Sequence, residues 1–180
     1  MTSTLTLNTP DAKNFEATKT VGLISDTHVP KRAAKVPQRV FEIFQNVDFI
    51  IHAGDLVELS VLDELEQAAP VLAVHGNMDT VEACAALPTL DSFKIFEWKI
   101  GVIHDPDVLN GSDKMGYIAK ENGFNVLVYG HTHSPRIRWE GEILFVNPGS
   151  PTDPASFLNK PSVGLLQITK KAITPQIINL

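Results

Sequence analysis

Val21-Gly22-Leu23-Ile24-Ser25-Asp26-Thr27-His28 is the stretch that decides the fold of this chain. A short apolar run passes directly into a carboxylate and an imidazole two residues apart. Four later segments follow the same plan. Residues 47–51 lead into His52-Ala53-Gly54-Asp55, and Val71-Leu72-Ala73-Val74 leads into His75-Gly76-Asn77-Met78-Asp79. Ile100-Gly101-Val102-Ile103 ends in His104-Asp105, and Val126-Leu127-Val128-Tyr129 ends in Gly130-His131-Thr132-His133. Short β-branched runs of this kind are what strands buried on both faces look like. Open α/β sheets carry ligands just past the carboxyl ends of such strands. The five runs therefore predict a sheet edge that gathers Asp, His and Asn from distant parts of the chain.

The segments between the runs complete an α/β pattern. Pro37 stands where a first-turn proline would, ahead of a helical face of Val40, Phe41, Ile43 and Phe44. Residues 58–68 carry Leu59, Leu62, Leu65 and Glu66 at helical spacing, and residues 80–86 read as a third short helix. Phe93, Ile95 and Phe96-Glu97-Trp98 read as a strand, with a tight connection near Lys99. Residues 112–122 read as a helix that stops at Gly123. From Arg136 onward the signal is β, with one hairpin around Glu140-Gly141-Glu142 and another around Lys170-Lys171. Asn147-Pro148-Gly149-Ser150 is a turn cluster. Early βαβ units followed by a β-rich second half predict two packed sheets with helices outside.

Composition sets the outer bounds. A chain of 180 residues predicts one domain, over 21–180, after a flexible N-terminal tail over 1–20. The tail holds Asp11 and Glu16 and no apolar segment, which argues against a secretory signal. Net charge is -6 and no long basic run occurs, so avid nucleic-acid binding is not expected. No apolar stretch approaches the roughly 20 residues of a membrane span. Cys84 is the single cysteine. That fits a reducing cytoplasm, and its Ala-rich setting reads as a small helical core position.

The strand-end residues suit two metal ions. Side chains at i and i+2 of an extended chain point the same way, so Asp26 and His28 can reach one cation, as can His131 and His133. Thr132 would then turn into the packing. Gly54 permits a tight turn before Asp55, whose two oxygens can bridge two ions. Asn77 offers a neutral oxygen. Imidazole with carboxylate suits Mn, Fe, Zn, Co or Ni better than Ca or Mg. Individually these motifs are weak, and His52 and His75 read as ordinary strand-end histidines. His-Thr-His also opens a different metal motif, His-x-His-x-Asp-His, but Pro135 and Arg136 stand where that motif needs Asp and His. The ordered set as a whole is the specific signal.

Asp-x-His, Gly-Asp, Gly-Asn-x-Asp, His and Gly-His-x-His, in this order, resemble the calcineurin-like metallophosphoesterase superfamily, and most closely its small YfcE-like phosphodiesterase branch. The resemblance spans about residues 21–170 and includes the 147–150 turn. It implies a four-layer αββα sandwich with two divalent transition metal ions at one edge, manganese first, with Fe, Zn, Ni or Co as alternatives. By position, Asp26, His28 and His133 would take one ion, Asn77, His104 and His131 the other, and Asp55 would bridge. Asp55, Asn77 and His104 are then the expected catalytic set. The implied activity is hydrolysis of a small phosphodiester by a metal-bridging hydroxide that attacks phosphorus.

Two departures bear on the chemistry. Many members of the superfamily carry a His after the Gly-Asn, thought to protonate the leaving group. This chain has Met78 there, and a thioether has no proton to give. His75 and Asp105 are the substitute donors to consider, although each, like Asp79, reads first as a residue that orients a ligand. Asp105-Pro106 also replaces the Gly-His usual in the branch. Lys31 and Arg32, with Lys35 beyond, would draw an anionic substrate toward the metals, or form a solvated loop. Trp98 and Trp139 read as packing or interface residues. The superfamily also includes a retromer scaffold subunit, so a non-catalytic interaction scaffold is the alternative, together with a phosphomonoesterase. A homodimer through the β-rich surface and a cytoplasmic location complete the expectations.

Overall fold

The structure is a computed structural model that describes residues 18–105 and 114–180. Most of the expected tail and the first residues of the helix expected over 112–122 lie outside that range. Ten strands and four helices alternate in the described residues. The first sheet holds β1 (Lys19–Ile24), β2 (Phe49–Ala53), β3 (Val71–Val74), β9 (Ser162–Ile168) and β10 (Ile173–Asn179), in the order β10-β9-β1-β2-β3. The second holds β4 (Leu90–Ile95), β5 (Trp98–Ile103), β6 (Val126–Tyr129), β7 (Arg136–Glu140) and β8 (Ile143–Asn147), in the order β4-β5-β6-β8-β7. The parallel trio β1-β2-β3 runs to one edge of the first sheet, with antiparallel β9 and β10 on its other side. In the second sheet β5-β6-β8 is a parallel centre flanked by antiparallel β4 and β7.

The period-two alternation of the strands explains the layers. Val21, Leu23, Ile51, Ala53 and Val74 meet Ile100, Val102, Val126, Val128, Leu144 and Val146 between the sheets. The opposite face of the first sheet, with Ile24 and Ile50, packs on α1 (Gln38–Phe44) and α2 (Ser60–Leu65), and buries Ala83 of α3 (Val81–Ala86). Ile103, Leu127 and Phe145 of the second sheet pack on Ile118 and Ala119 of α4 (Lys114–Asn122). Helices, sheet, sheet, helix is the four-layer αββα sandwich expected of an α/β chain with this motif order. Trp98 joins the sheets, its indole N–H donating to the Thr169 carbonyl at 2.7 Å.

Some local expectations need correction. β1 begins at Lys19, inside the expected tail, because Lys19 and Thr20 pair with Ile168 and Gln167. Pro37 is the cap before α1 and not its first turn. Only residues 60–65 of the 58–68 segment form α2. Phe96-Glu97, expected within a strand, is instead the tight connection after β4, since Ile95 pairs with Trp98. Phe96 turns the chain with a φ of 53°, a conformation that an aromatic residue does not advertise. Cys84 is exposed and not part of the core, because α3 buries only Ala83. No helix among the described residues is long and apolar enough to cross a membrane.

Candidate metal centre

β1, β2 and β3 of one sheet and β5 and β6 of the other all end at one edge, and the predicted residues follow them. His133 Nε2 stands 3.1 Å from His28 Nε2 and 3.4 Å from Asp26 Oδ1. Asn77 Oδ1 stands 3.2 Å from His104 Nε2 and 3.0 Å from His131 Nδ1. Between these groups lies Asp55, whose Oδ2 is 3.3 Å from His104 Nε2 and 3.8 Å from His28 Nε2. The seven residues singled out in the sequence thus lie together at this edge. Asp26, His28 and His133 offer donor atoms within 4.8 Å of one another, as do Asp26, Asp55 and His104.

The local backbone differs from the extended chain assumed for the i and i+2 pairs. Asp26, His28, Asp55, His131 and His133 all have φ between 46° and 69°. Their shared direction comes from alternating left-handed residues, a costly conformation for L side chains. Thr132 is exposed, not turned into the packing, and its hydroxyl accepts from the Asn147 amide at 3.1 Å. Gly54 has a φ of 85°. Gly76 is needed for closeness, since a Cβ there would fall 2.2 Å from Asp55 Oδ1.

The site calls for positive charge. His104 Nδ1 donates to the Ala53 carbonyl at 2.8 Å, so the neutral ring turns a bare Nε2 on the oxygens of Asn77 and Asp55, which are acceptors too. His133 Nδ1 donates to the Asp153 carbonyl, which likewise leaves Nε2 bare and facing Asp26. A positive charge within each group, a bound cation or an added ring proton, resolves the conflict. Burial pulls His104 down, yet the Asp55 hydrogen bond and the charges of Asp26 and Asp55 together hold its pKa above the usual value. Burial also raises Asp26, and it lowers His28. Asp55 stays below the usual carboxylate range: burial opposes this, but His104, the Met78 N–H and His28 outweigh it. The donor set, four histidines and one amide with two carboxylates, fits first-row transition metals.

The remaining predicted residues divide. Asp79 orients the loops, accepting from Val57 N at 2.5 Å and Gly76 N at 2.7 Å. Asp105 Oδ2 stands 3.8 Å from His131 Nε2, on the side of the ring away from Asn77. His75 bonds Thr89 Oγ1 at 3.0 Å and does not line the cavity over the centre. That cavity, about 360 Å³, is lined by His28, Lys31, Arg32, Asp55, Asn77, Met78, His131, His133 and Asp153. Lys31 Nζ donates to the Met78 carbonyl at 3.3 Å, and Arg32 pairs with Asp153 at 3.1 Å. Sequence reasoning missed Asp153. Its part in orienting His133 is played by a main-chain carbonyl, which no residue type announces.

Residues 20–171 match the model of the calcineurin-like phosphoesterase superfamily domain. The chain belongs to that superfamily. A probable metallophosphoesterase of Methanothermobacter thermautotrophicus is 42% identical over 159 residues, which cover 88% of this chain and 91% of that protein. A phosphodiesterase of Methanocaldococcus jannaschii is 30% identical over 171 residues, covering 84% and 94%. Among solved structures, Vps29 of Entamoeba histolytica complexed with zinc superposes with a TM-score of 0.72 at 26% identity, covering 89% and 98%. Family membership makes the chain a phosphoesterase-type hydrolase fold whose members use divalent metal ions.

Proposed function

We propose that this chain is a metal-dependent phosphodiesterase acting on small phosphodiesters. The observation that carries the reading is the convergence of Asp26, His28 and His133 on one side of Asp55 and of Asn77, His104 and His131 on the other. A relative 30% identical and named a phosphodiesterase supports the choice of diesters. The two groups would hold one divalent ion each, manganese first. When bound, such ions supply an activated water and positive charge against the phosphoryl oxygens.

The chain's own residues do the rest. Asp55 lies between the two groups and is kept ionised by His104, His28 and the Met78 N–H, whose bond to its Oδ1 is 2.7 Å. Asn77 contributes an oxygen without adding negative charge, which leaves the site attractive to an anionic ester. Lys31 and Arg32 stand at the cavity wall and favour entry of such an anion. Met78, 43% exposed in the same wall, gives no proton to the departing oxygen. Diesters with good leaving groups are therefore the preferred substrates, ahead of monoesters.

The test is hydrolysis of bis(4-nitrophenyl) phosphate by manganese-loaded protein, beside Asp55→Asn. Turnover that falls by about 100-fold or more in a folded variant is expected. Equal turnover in the two proteins would sink the reading. The likeness to Vps29 favours a second reading, a metal-binding module without hydrolytic activity. It would be preferred if two ions bound per chain and no diester or monoester were turned over.

A further inference from the structure

The 147–150 turn and the residues just after it touch two of the loops that carry candidate ligands. Asn147 Nδ2 donates to the Gly130 carbonyl at 2.8 Å and so fixes the entry to His131 and His133. Ser25 Oγ donates to the Gly149 carbonyl at 2.9 Å. The Ser150 hydroxyl donates to the Asp26 carbonyl at 2.7 Å while accepting from Asp153 N at 2.8 Å. Thr152 Oγ1 donates to the Thr27 carbonyl at 2.7 Å. The Asp153 carbonyl accepts from His133 Nδ1, and Ala155 N donates to the His133 carbonyl at 3.3 Å. The segment is itself anchored, with Ser162 N donating to the Ser150 carbonyl at 3.0 Å.

The contacts made by residues 149–155 are one-sided; Asn147, outside them, also steadies the entry to His131. They reach the main chain at Asp26 and Thr27, and at His133 both the main chain and the ring. No hydrogen bond of residues 149–155 among the described residues goes to the side chain of Asn77, His104 or His131. The backbone they brace is also the strained one, with φ of 53° at Asp26 and 46° at His28. Two hydroxyls hold the carbonyls between those residues, and a main-chain carbonyl fixes the His133 tautomer whose Nε2 faces Asp26.

We propose that residues 149–153 are a strap that sets up the Asp26, His28 and His133 half of the centre, with Ser150 and Thr152 as its positioning residues. The inference rests on the two-ion reading above. The chemistry supports a selective effect: groups that orient metal ligands are worth about 10- to 100-fold in metal affinity. Loss of the Thr152 hydroxyl should thus weaken one ion and spare the other.

Manganese titration of the chelated protein, followed by isothermal calorimetry and electron paramagnetic resonance, tests this on wild type, Thr152→Val, Thr152→Ser and Ser150→Ala. Wild type should bind two ions and give a spin-coupled signal. Thr152→Val and Ser150→Ala should bind one ion as wild type does and the other about 10- to 100-fold more weakly, with an uncoupled signal at one equivalent. Thr152→Ser should restore both. Full-affinity binding of two ions in Thr152→Val, or equal weakening of both sites, would overturn the strap. A wild type that binds fewer than two ions would overturn the two-ion reading instead. If Ser150→Ala does not fold, the Thr152 Val and Ser pair carries the test alone.

Discussion

The two halves of the centre use similar side chains in unlike settings. Asp26 and His28 are buried, on a loop braced by Ser150 and Thr152 hydroxyls. In the other half only His104 is buried; Asn77 is exposed and the His131 side chain is 44% exposed. The first half is organised by main-chain contacts from a distant segment. The second has Asn77 and His131 open to solvent at the cavity wall. The difference teaches that one edge of a sandwich can set a braced, buried cluster of donor groups beside an open one.

His133→Ala and His131→Ala break the comparison most directly. Loss of His133 should remove the more tightly held ion and with it nearly all diester turnover. Loss of His131 should leave one ion bound with high affinity. Calorimetric titration with manganese checks both, and equal losses would mean that the halves do not differ. A smaller but measurable effect is expected on acidification. His52 lies fully buried against Thr27, with its pKa lowered to about 3, chiefly by burial and then by the His104 charge. The unfolded chain takes up a proton near pH 6.5 and the folded chain does not. Stability from this group is therefore complete above pH 6.5 and is lost as pH falls toward 3, by several kcal/mol at about 1.4 kcal/mol per unit. Thermal melts of metal-free wild type and His52→Gln should show a shallower acid slope in the variant. The smallest effect is at the rim. Lys31→Ala should raise KM for an anionic diester a few-fold at low salt and less at high salt. A KM unchanged at all ionic strengths would assign Lys31 to solvent.

The sequence carried the part of this design that side-chain identity encodes. Five β-branched runs and the residues after them give both sheets and the seven converging groups, because burial on two faces and metal ligation each demand particular residue types. What was hidden depends on main-chain geometry. Nothing in Ser-Asp-Thr-His announces two left-handed residues, and nothing in Phe96-Glu97 announces a two-residue hairpin. The Asp153 carbonyl could have been supplied by any residue. Cys84 was misjudged because a six-residue helix buries one narrow face, and Ala83 fills it.

In the proposed hydrolase one ion lies on each side of Asp55. Anomalous diffraction at the manganese edge, from crystals of manganese-loaded protein, tests it directly. Two peaks are predicted, one among Asp26, His28 and His133 and one among Asn77, His104 and His131, with Asp55 touching both. A single peak, or peaks away from these residues, would contradict the account.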